Sequence, residues 1–252
     1  MAVQKKTWGG LSTYVVWQGS AAKPPDLAVV LCHGYGAAGT DLVGLVQAFA
    51  AVRPKMLGRI AFIFPAAPLS LADLGMAGGT AWWNIDLDRL LNRPTPELYQ
   101  QFRRNCPDGM CEARDKLTAL LSEAAAELGI TPQQFVLGGF SQGSMLATDV
   151  ALRISKGPAA LCILSGALIN EVEWGELASK RGPLTILQSH GRQDPILMFP
   201  QATALRDLLV DAGHQVEFIA FDGYHEIQPV VIHRMTALLE RLLDESSTSE
   251  TA

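Results

Sequence analysis

Short runs rich in β-branched, aliphatic and aromatic residues alternate with amphipathic helical segments along this chain, and that alternation admits few architectures. The strand-like runs are Tyr14–Gln18, Ala28–Cys32, Ala61–Phe64, Phe135–Phe140, Leu161–Leu164, Thr185–Gln188 and Val216–Phe221. Several are apolar at nearly every position, as strands buried on both faces are. Helical periodicity covers Leu42–Val52, Glu112–Leu128, Met145–Ile154, Ala202–Asp211 and Val230–Leu243. Gly129 and Gly213 stand where C-terminal caps belong, and Thr95-Pro96-Glu97 reads as the start of a further short helix. The expected fold is therefore α/β, a mostly parallel central sheet with helices on both faces.

A chain of 252 residues can bury a core large enough to fold without disulfides or metal. One domain is expected over residues 1–244. Residues 66–110 break the alternation with no convincing strand, and so long an irregular insertion in a compact domain is usually functional. Residues 245–252 are small and polar and are expected to be disordered.

The formal net charge of −5 argues against nucleic acid, whose phosphates demand clustered Lys and Arg. Lys5-Lys6 and Arg103-Arg104 are isolated pairs. No apolar run follows the N-terminal lysines, so no secretory leader is expected. The longest apolar run, between Pro158 and Asn170, is interrupted by Ser165 and Gly166 and is too short to span a bilayer. Stable membrane insertion is not expected, and the cytoplasm is the expected location. Cys32 and Cys162 lie in apolar strand-like runs and read as small hydrophobes. Cys106 and Cys111 are close enough in sequence to pair, although a reducing compartment would keep them as thiols. The cysteine spacings fit no zinc site, and neither a metal nor a cofactor is expected.

Gly139-Phe140-Ser141-Gln142-Gly143 carries the strongest chemical information. It follows an apolar strand and precedes a helical run. A serine hydroxyl is a poor nucleophile unless it is exposed, sharply positioned and served by a base. A tight strand-to-helix turn provides the position, and flanking glycines tolerate the crowding. A base and an orienting acid should follow in the order Ser, Asp, His. His33 and His190 sit beside glycines at strand ends and read as structural hydrogen-bonders. His214 lies in a turn and His233 inside the last helix. His225 comes directly after the strand Val216–Phe221, at a carboxyl end where open α/β sheets keep reactive groups, and is the expected base. Asp194, just beyond the strand Thr185–Gln188, is the expected acid. Asp222 is its rival, but it shares the loop of His225. For the oxyanion hole, the backbone N–H of Gln142 supplies one donor. The loop Leu31-Cys32-His33-Gly34-Tyr35-Gly36 supplies the other, expected at Tyr35.

Four pieces together resemble the phospholipase/carboxylesterase family of the α/β-hydrolase fold, which includes small carboxylesterases, lysophospholipases and acyl-protein thioesterases. They are His33-Gly34-Tyr35-Gly36, the Ser141 motif, His190-Gly191-Arg192-Gln193-Asp194 and Gly223-Tyr224-His225. The resemblance implies a sheet of about seven strands, no cofactor, and hydrolysis of small or single-chain acyl esters. It also implies that Ala81-Trp82-Trp83-Asn84-Ile85-Asp86 matches the family's aromatic stretch at the acyl site. Trp82, Trp83, Leu74 and Met198 are the expected substrate-binding residues, with the insertion as a partial lid. The chain departs from the family's pattern at Leu197-Met198 and at Ala37. A small-molecule ester is thus the expected partner, and a homodimer is compatible with the sequence. Two rivals stay open: a lysophospholipase or thioesterase using the same residues, and a non-catalytic binding module on the same fold.

Overall fold

The computed structural model describes residues 2–19, 23–86, 96–154 and 156–249. Its main sheet uses β1 (Gln4–Trp8), β2 (Leu11–Val16), β3 (Leu27–Cys32), β4 (Ile60–Pro65), β7 (Phe135–Phe140), β8 (Ala160–Leu164), β9 (Thr185–Gly191) and β10 (Gln215–Phe221). The spatial order is β1-β2-β4-β3-β7-β8-β9-β10. Strands β4, β3, β7, β8, β9 and β10 run parallel, and β1 and β2 join antiparallel at one edge. Within the insertion, β5 (Leu69–Ser70) and β6 (Thr80–Ala81) form a small hairpin where no strand was expected.

Seven α-helices accompany the strands among the described residues. They are α1 (Leu45–Val52), α2 (Pro96–Arg104), α3 (Met110–Leu128), α4 (Gln142–Arg153), α5 (Glu171–Lys180), α6 (Phe199–Asp211) and α7 (Pro229–Ser249). Their distribution follows from strand periodicity. All six residues of β3 are buried, yet Ala28, Val30 and Cys32 join one core while Leu27, Val29 and Leu31 join the other. Side chains alternate across a strand, so a wholly apolar strand needs a helical layer on each side. Helices α3, α4, α5 and α6 cover the first face, and α1 and α7 cover the second.

Gly129 caps α3 in the left-handed conformation at φ +67°, and Gly213 follows α6 at φ +88°, as their positions in the sequence predict. The tail reading needs correction: α7 continues through Ser249 instead of ending near residue 244. Local contacts carry the polar extension, with Ser246 Oγ donating to the Leu243 carbonyl at 2.8 Å and Arg241 lying 3.9 Å from Glu245 one turn on. Residues 250–252, and the expected cap at Thr95, lie outside the described residues.

One polar cluster binds three helices of the first face. The Asp149 carboxylate on α4 is fully buried and accepts from Arg114 on α3, from Arg153 at 3.1 and 3.2 Å, and from the Trp174 indole on α5 at 2.9 Å. Removing one partner of such a cluster strands the others. Asp149→Ala is expected to cost about 3–5 kcal/mol of unfolding free energy in urea titration. A loss below about 1 kcal/mol would mean that both guanidinium groups find water instead.

Candidate active site

The strand order reverses at β3. The chain leaves β3 toward α1 on one face and leaves β7, its neighbour, toward α4 on the other. Such a divergence opens a crevice at the carboxyl ends of the strands, where open α/β sheets bind ligands. Cys32 and Gly139 are register partners, so the loops after β3 and β7 emerge side by side.

Ser141 stands in that crevice, between the end of β7 and the start of α4, at φ +53° and ψ −122°. Positive φ is uncommon for a residue with a Cβ and marks stored backbone strain. The neighbouring structure imposes it. A Cβ on Gly143 would come 2.2 Å from the Cys32 carbonyl oxygen, and one on Gly139 would come 2.5 Å from the Gly143 carbonyl carbon. Both glycines of the motif are therefore demanded by the packing of elbow against β3. The Ser141 N–H donates to the Leu164 carbonyl at 2.8 Å, which fixes the turn to β8.

Asp194 is buried in the loop after β9, and each carboxylate oxygen has two partners. Oδ1 accepts the N–H groups of Ile196 and Leu197 at 2.8 and 2.9 Å. Oδ2 lies 2.6 Å from His225 Nδ1 and 3.2 Å from His190 Nε2. Burial pushes this carboxyl up, but hydrogen bonds from His190 and then His225 outweigh it and hold the group well below the ordinary carboxylate range. The ionised form of Asp194 is therefore the favoured one near neutral pH. Asp222, the rival acid, is exposed and lies 3.6 Å from Arg192.

The His225 ring packs on Phe140, the residue before Ser141, with ring centroids 4.7 Å apart. The loop carrying it is tied to β8 by Ser165 Oγ, which donates to the Glu226 carbonyl at 3.3 Å. Among the described residues, Ser141 Oγ makes no hydrogen bond to His225. Such bonds are often long before substrate binds.

Gln142 is the first residue of α4, and its N–H is one of the four that a helix leaves without an intrahelical acceptor. Tyr35 N–H has no backbone acceptor among the described residues, whereas Gly36 N–H donates to Thr80 O at 2.9 Å. The two loops touch: a Cβ on Gly34 would lie 3.3 Å from Ser141 Cβ.

The four expected substrate contacts divide into two pairs. Leu74 and Met198 are exposed, whereas Trp82 and Trp83 are only 1% and 0% exposed. Their rings fill the core beneath the crevice, and the Trp82 indole donates to the His33 carbonyl at 2.9 Å. Elsewhere in the insertion Leu71 is buried, whereas Leu69 and Met76 are exposed as Leu74 is.

The sequence leaves the side chain of Gln142 without a role, and the fold provides one. Its Oε1 accepts the Trp82 N–H at 2.9 Å, and its Nε2 donates to the Trp83 carbonyl at 2.7 Å. This buried amide thus ties the insertion to the turn at Ser141. A contact across about sixty residues of sequence has no local signature.

His33 fastens the other side. Its Nδ1–H donates to the Gly34 carbonyl at 2.8 Å and its bare Nε2 accepts the Ala67 N–H at 3.0 Å, which fixes the neutral tautomer. Burial lowers its proton affinity, against weaker pulls from the Gly34 carbonyl and Asp41. His214 is lowered in the same sense, by burial and then Arg181. The unfolded chain takes up these protons near pH ~6.5 while the folded chain resists. Stability is therefore complete above that pH and declines as pH falls below it. The urea midpoint is expected to drop between pH 7 and pH 5, and His33→Gln should flatten the drop. An unchanged slope in that variant would assign the dependence elsewhere.

The parallel sheet, the divergence at β3 and the strained turn at Ser141 together define the α/β-hydrolase fold. The family model described as Phospholipase/Carboxylesterase matches residues 18–243, and the chain belongs to that family of hydrolases. Acyl-protein thioesterase 1 of Aspergillus fumigatus is 26% identical over 235 residues, covering 88% of this chain and 90% of that protein. The Neurospora crassa protein of the same name is 28% identical over 210 residues, covering 77% and 78%. Among solved structures, esterase PE8 superposes with a TM-score of 0.74 at 26% identity, covering 92% of this chain and 99% of that one. A carboxylesterase from Mesorhizobium loti shares the fold with a TM-score of 0.71 at 18% identity, covering 95% and 99%. No helix of the described residues is long and apolar enough to cross a membrane, and no group of His, Cys, Asp or Glu among them could hold a metal ion. All four cysteines are free thiols, and burial raises Cys32 and Cys162 into an inert range.

Proposed function

We propose that this protein is a serine carboxylesterase acting on short- to medium-chain carboxylic esters through an acyl-enzyme on Ser141. The observation that carries the reading is the 2.6 Å contact of His225 with a buried, ionised Asp194, with the same imidazole packed beside the strained serine turn. In this mechanism Ser141 Oγ attacks the ester carbonyl and its proton passes to His225. The N–H groups of Tyr35 and Gln142 hold the oxyanion. His225 protonates the departing alcohol, then deprotonates the water that frees the acid. Exposed Leu74, Met76 and Met198 give the acyl chain an apolar rim, backed by the buried Trp82 and Trp83.

A thioesterase reading uses the same residues on a sulfur leaving group. Its support is that the two fungal relatives are named acyl-protein thioesterases. A fluorophosphonate probe should label the protein at Ser141, and an absence of label would return the chain to the binding-module reading. Turnover of p-nitrophenyl butyrate, an acyl-thioester and lysophosphatidylcholine, compared on one unlabelled preparation whose active fraction is titrated with the probe in a separate aliquot, then separates the leaving groups. The ester is expected to be turned over fastest.

A further inference from the structure

The mechanism leaves one imidazole unused although it lies on the same carboxylate oxygen as His225. We propose that His190 is a positioning residue, an imidazole whose Nε2–H keeps Asp194 aimed at His225. The inference rests on the Ser141–Asp194–His225 reading.

The tautomer follows from the partners. His190 Nε2 lies 2.6 Å from the Leu197 carbonyl oxygen and 3.2 Å from Asp194 Oδ2. Neither partner carries a hydrogen, so Nε2 must. The other ring nitrogen, Nδ1, is buried with no partner. Adding a proton there would bury an unpaired N–H on a charged ring, which is costlier than leaving a bare lone pair. His190 is also 0% exposed, so it cannot reach substrate. His225 differs, since its side chain keeps 12% exposure and its Nδ1 already faces the carboxylate. Two imidazoles therefore share one oxygen, and only His225 is exposed enough to meet substrate.

Two hydrogen bonds and one longer contact close a ring around this loop. Asp194 Oδ1 accepts Leu197 N–H, the Leu197 carbonyl accepts His190 Nε2–H, and the same N–H reaches Asp194 Oδ2. Phe199 packs on His190 with ring centroids 6.2 Å apart. Arg192, the cation on this loop, stacks on Phe199 at 5.3 Å and pairs with Asp222. Among the described residues, the titratable groups contacting Asp194 are its two imidazoles.

Two variants and one spectrum test this. His190→Leu removes the donor at similar volume, and His190→Gln keeps an N–H in its place. Turnover is normalised to the fraction of Ser141 labelled by fluorophosphonate. His190→Leu is expected to lose about 10- to 100-fold in kcat, the worth of one hydrogen bond to a charged group, with KM unchanged. Its acid limb of kcat/KM should move to higher pH. Without His190 the carboxylate binds a proton more readily, and His225 beside it holds one longer. His190→Gln should recover most of the rate. Wild-type kcat and acid limb in His190→Leu would overturn the proposal, as would an equal loss in His190→Gln. Imidazole ¹⁵N spectra of the wild-type protein are independent of any variant's folding. They should show His190 protonated at Nε2, and a ring protonated at Nδ1 alone would overturn the proposal. Failure of Ser141 to label would instead sink the underlying reading while leaving this spectrum to decide the state of His190.

Discussion

Ser141→Ala is expected to lower kcat on p-nitrophenyl butyrate roughly a millionfold, with the protein still folded. The size follows from interdependence. His225 and Asp194 exist in this scheme to move one proton, and without the hydroxyl there is no proton to move and no acyl-enzyme to form. What survives is the pair of oxyanion donors, worth on the order of 100- to 1000-fold each. The substitution removes one oxygen from a residue whose N–H already anchors the turn to β8. The melting temperature should change little, because Ala keeps the Cβ and the strained backbone of the turn. Burst kinetics and labelling are the direct measurements. Turnover within tenfold of wild type would refute the nucleophile assignment.

Asp194→Asn is expected to cost about ten-thousandfold in kcat with KM nearly unchanged. Here the geometry predetermines how the amide must turn. Ile196 and Leu197 both direct N–H groups at Oδ1, so the amide oxygen is held there and the NH2 faces the two imidazoles. That NH2 can be accepted only by a bare His225 Nδ1, which forces the proton onto Nε2. A ring protonated at Nε2 cannot take the serine proton. His190 Nε2–H would also face a donor in place of an acceptor and lose half of its shared bond. A loss below tenfold would show that His225 is oriented by something other than this carboxylate.

Much of this was legible because strand ends are easy to find. Ser141, Asp194 and His225 each follow an apolar run by a few residues, and parallel strands bring their carboxyl ends to one edge. The fold class followed from the same alternation. Strand β1 was missed because an edge strand is half solvated: of Gln4, Lys5, Lys6, Thr7 and Trp8, only the last is buried. Helix α5 was missed too, since Gly175 interrupts it and Val172 points to solvent, while Trp174 and Ala178 hold it to the core. The two tryptophans illustrate a deeper difficulty. Residue type marks them as apolar surface near the site, and only packing decides whether they meet substrate or support what does. The second imidazole on Asp194 was unreadable for the same reason, because its partners are chosen by the bend of the loop from Gly191 to Leu197.

The double duty of Gln142 has a consequence for how such a scaffold can diversify. In the proposed mechanism one residue presents its main chain to the reacting carbonyl while its side chain grips the tryptophan segment, so mutations there should change speed and selectivity together. If the proposed apolar rim meets the acyl chain, drift toward new acyl groups has an easier route at the exposed Leu74, Met76 and Met198, which can be exchanged singly. Orthologues selected on different esters should differ at those three positions while the amide beneath them stays fixed.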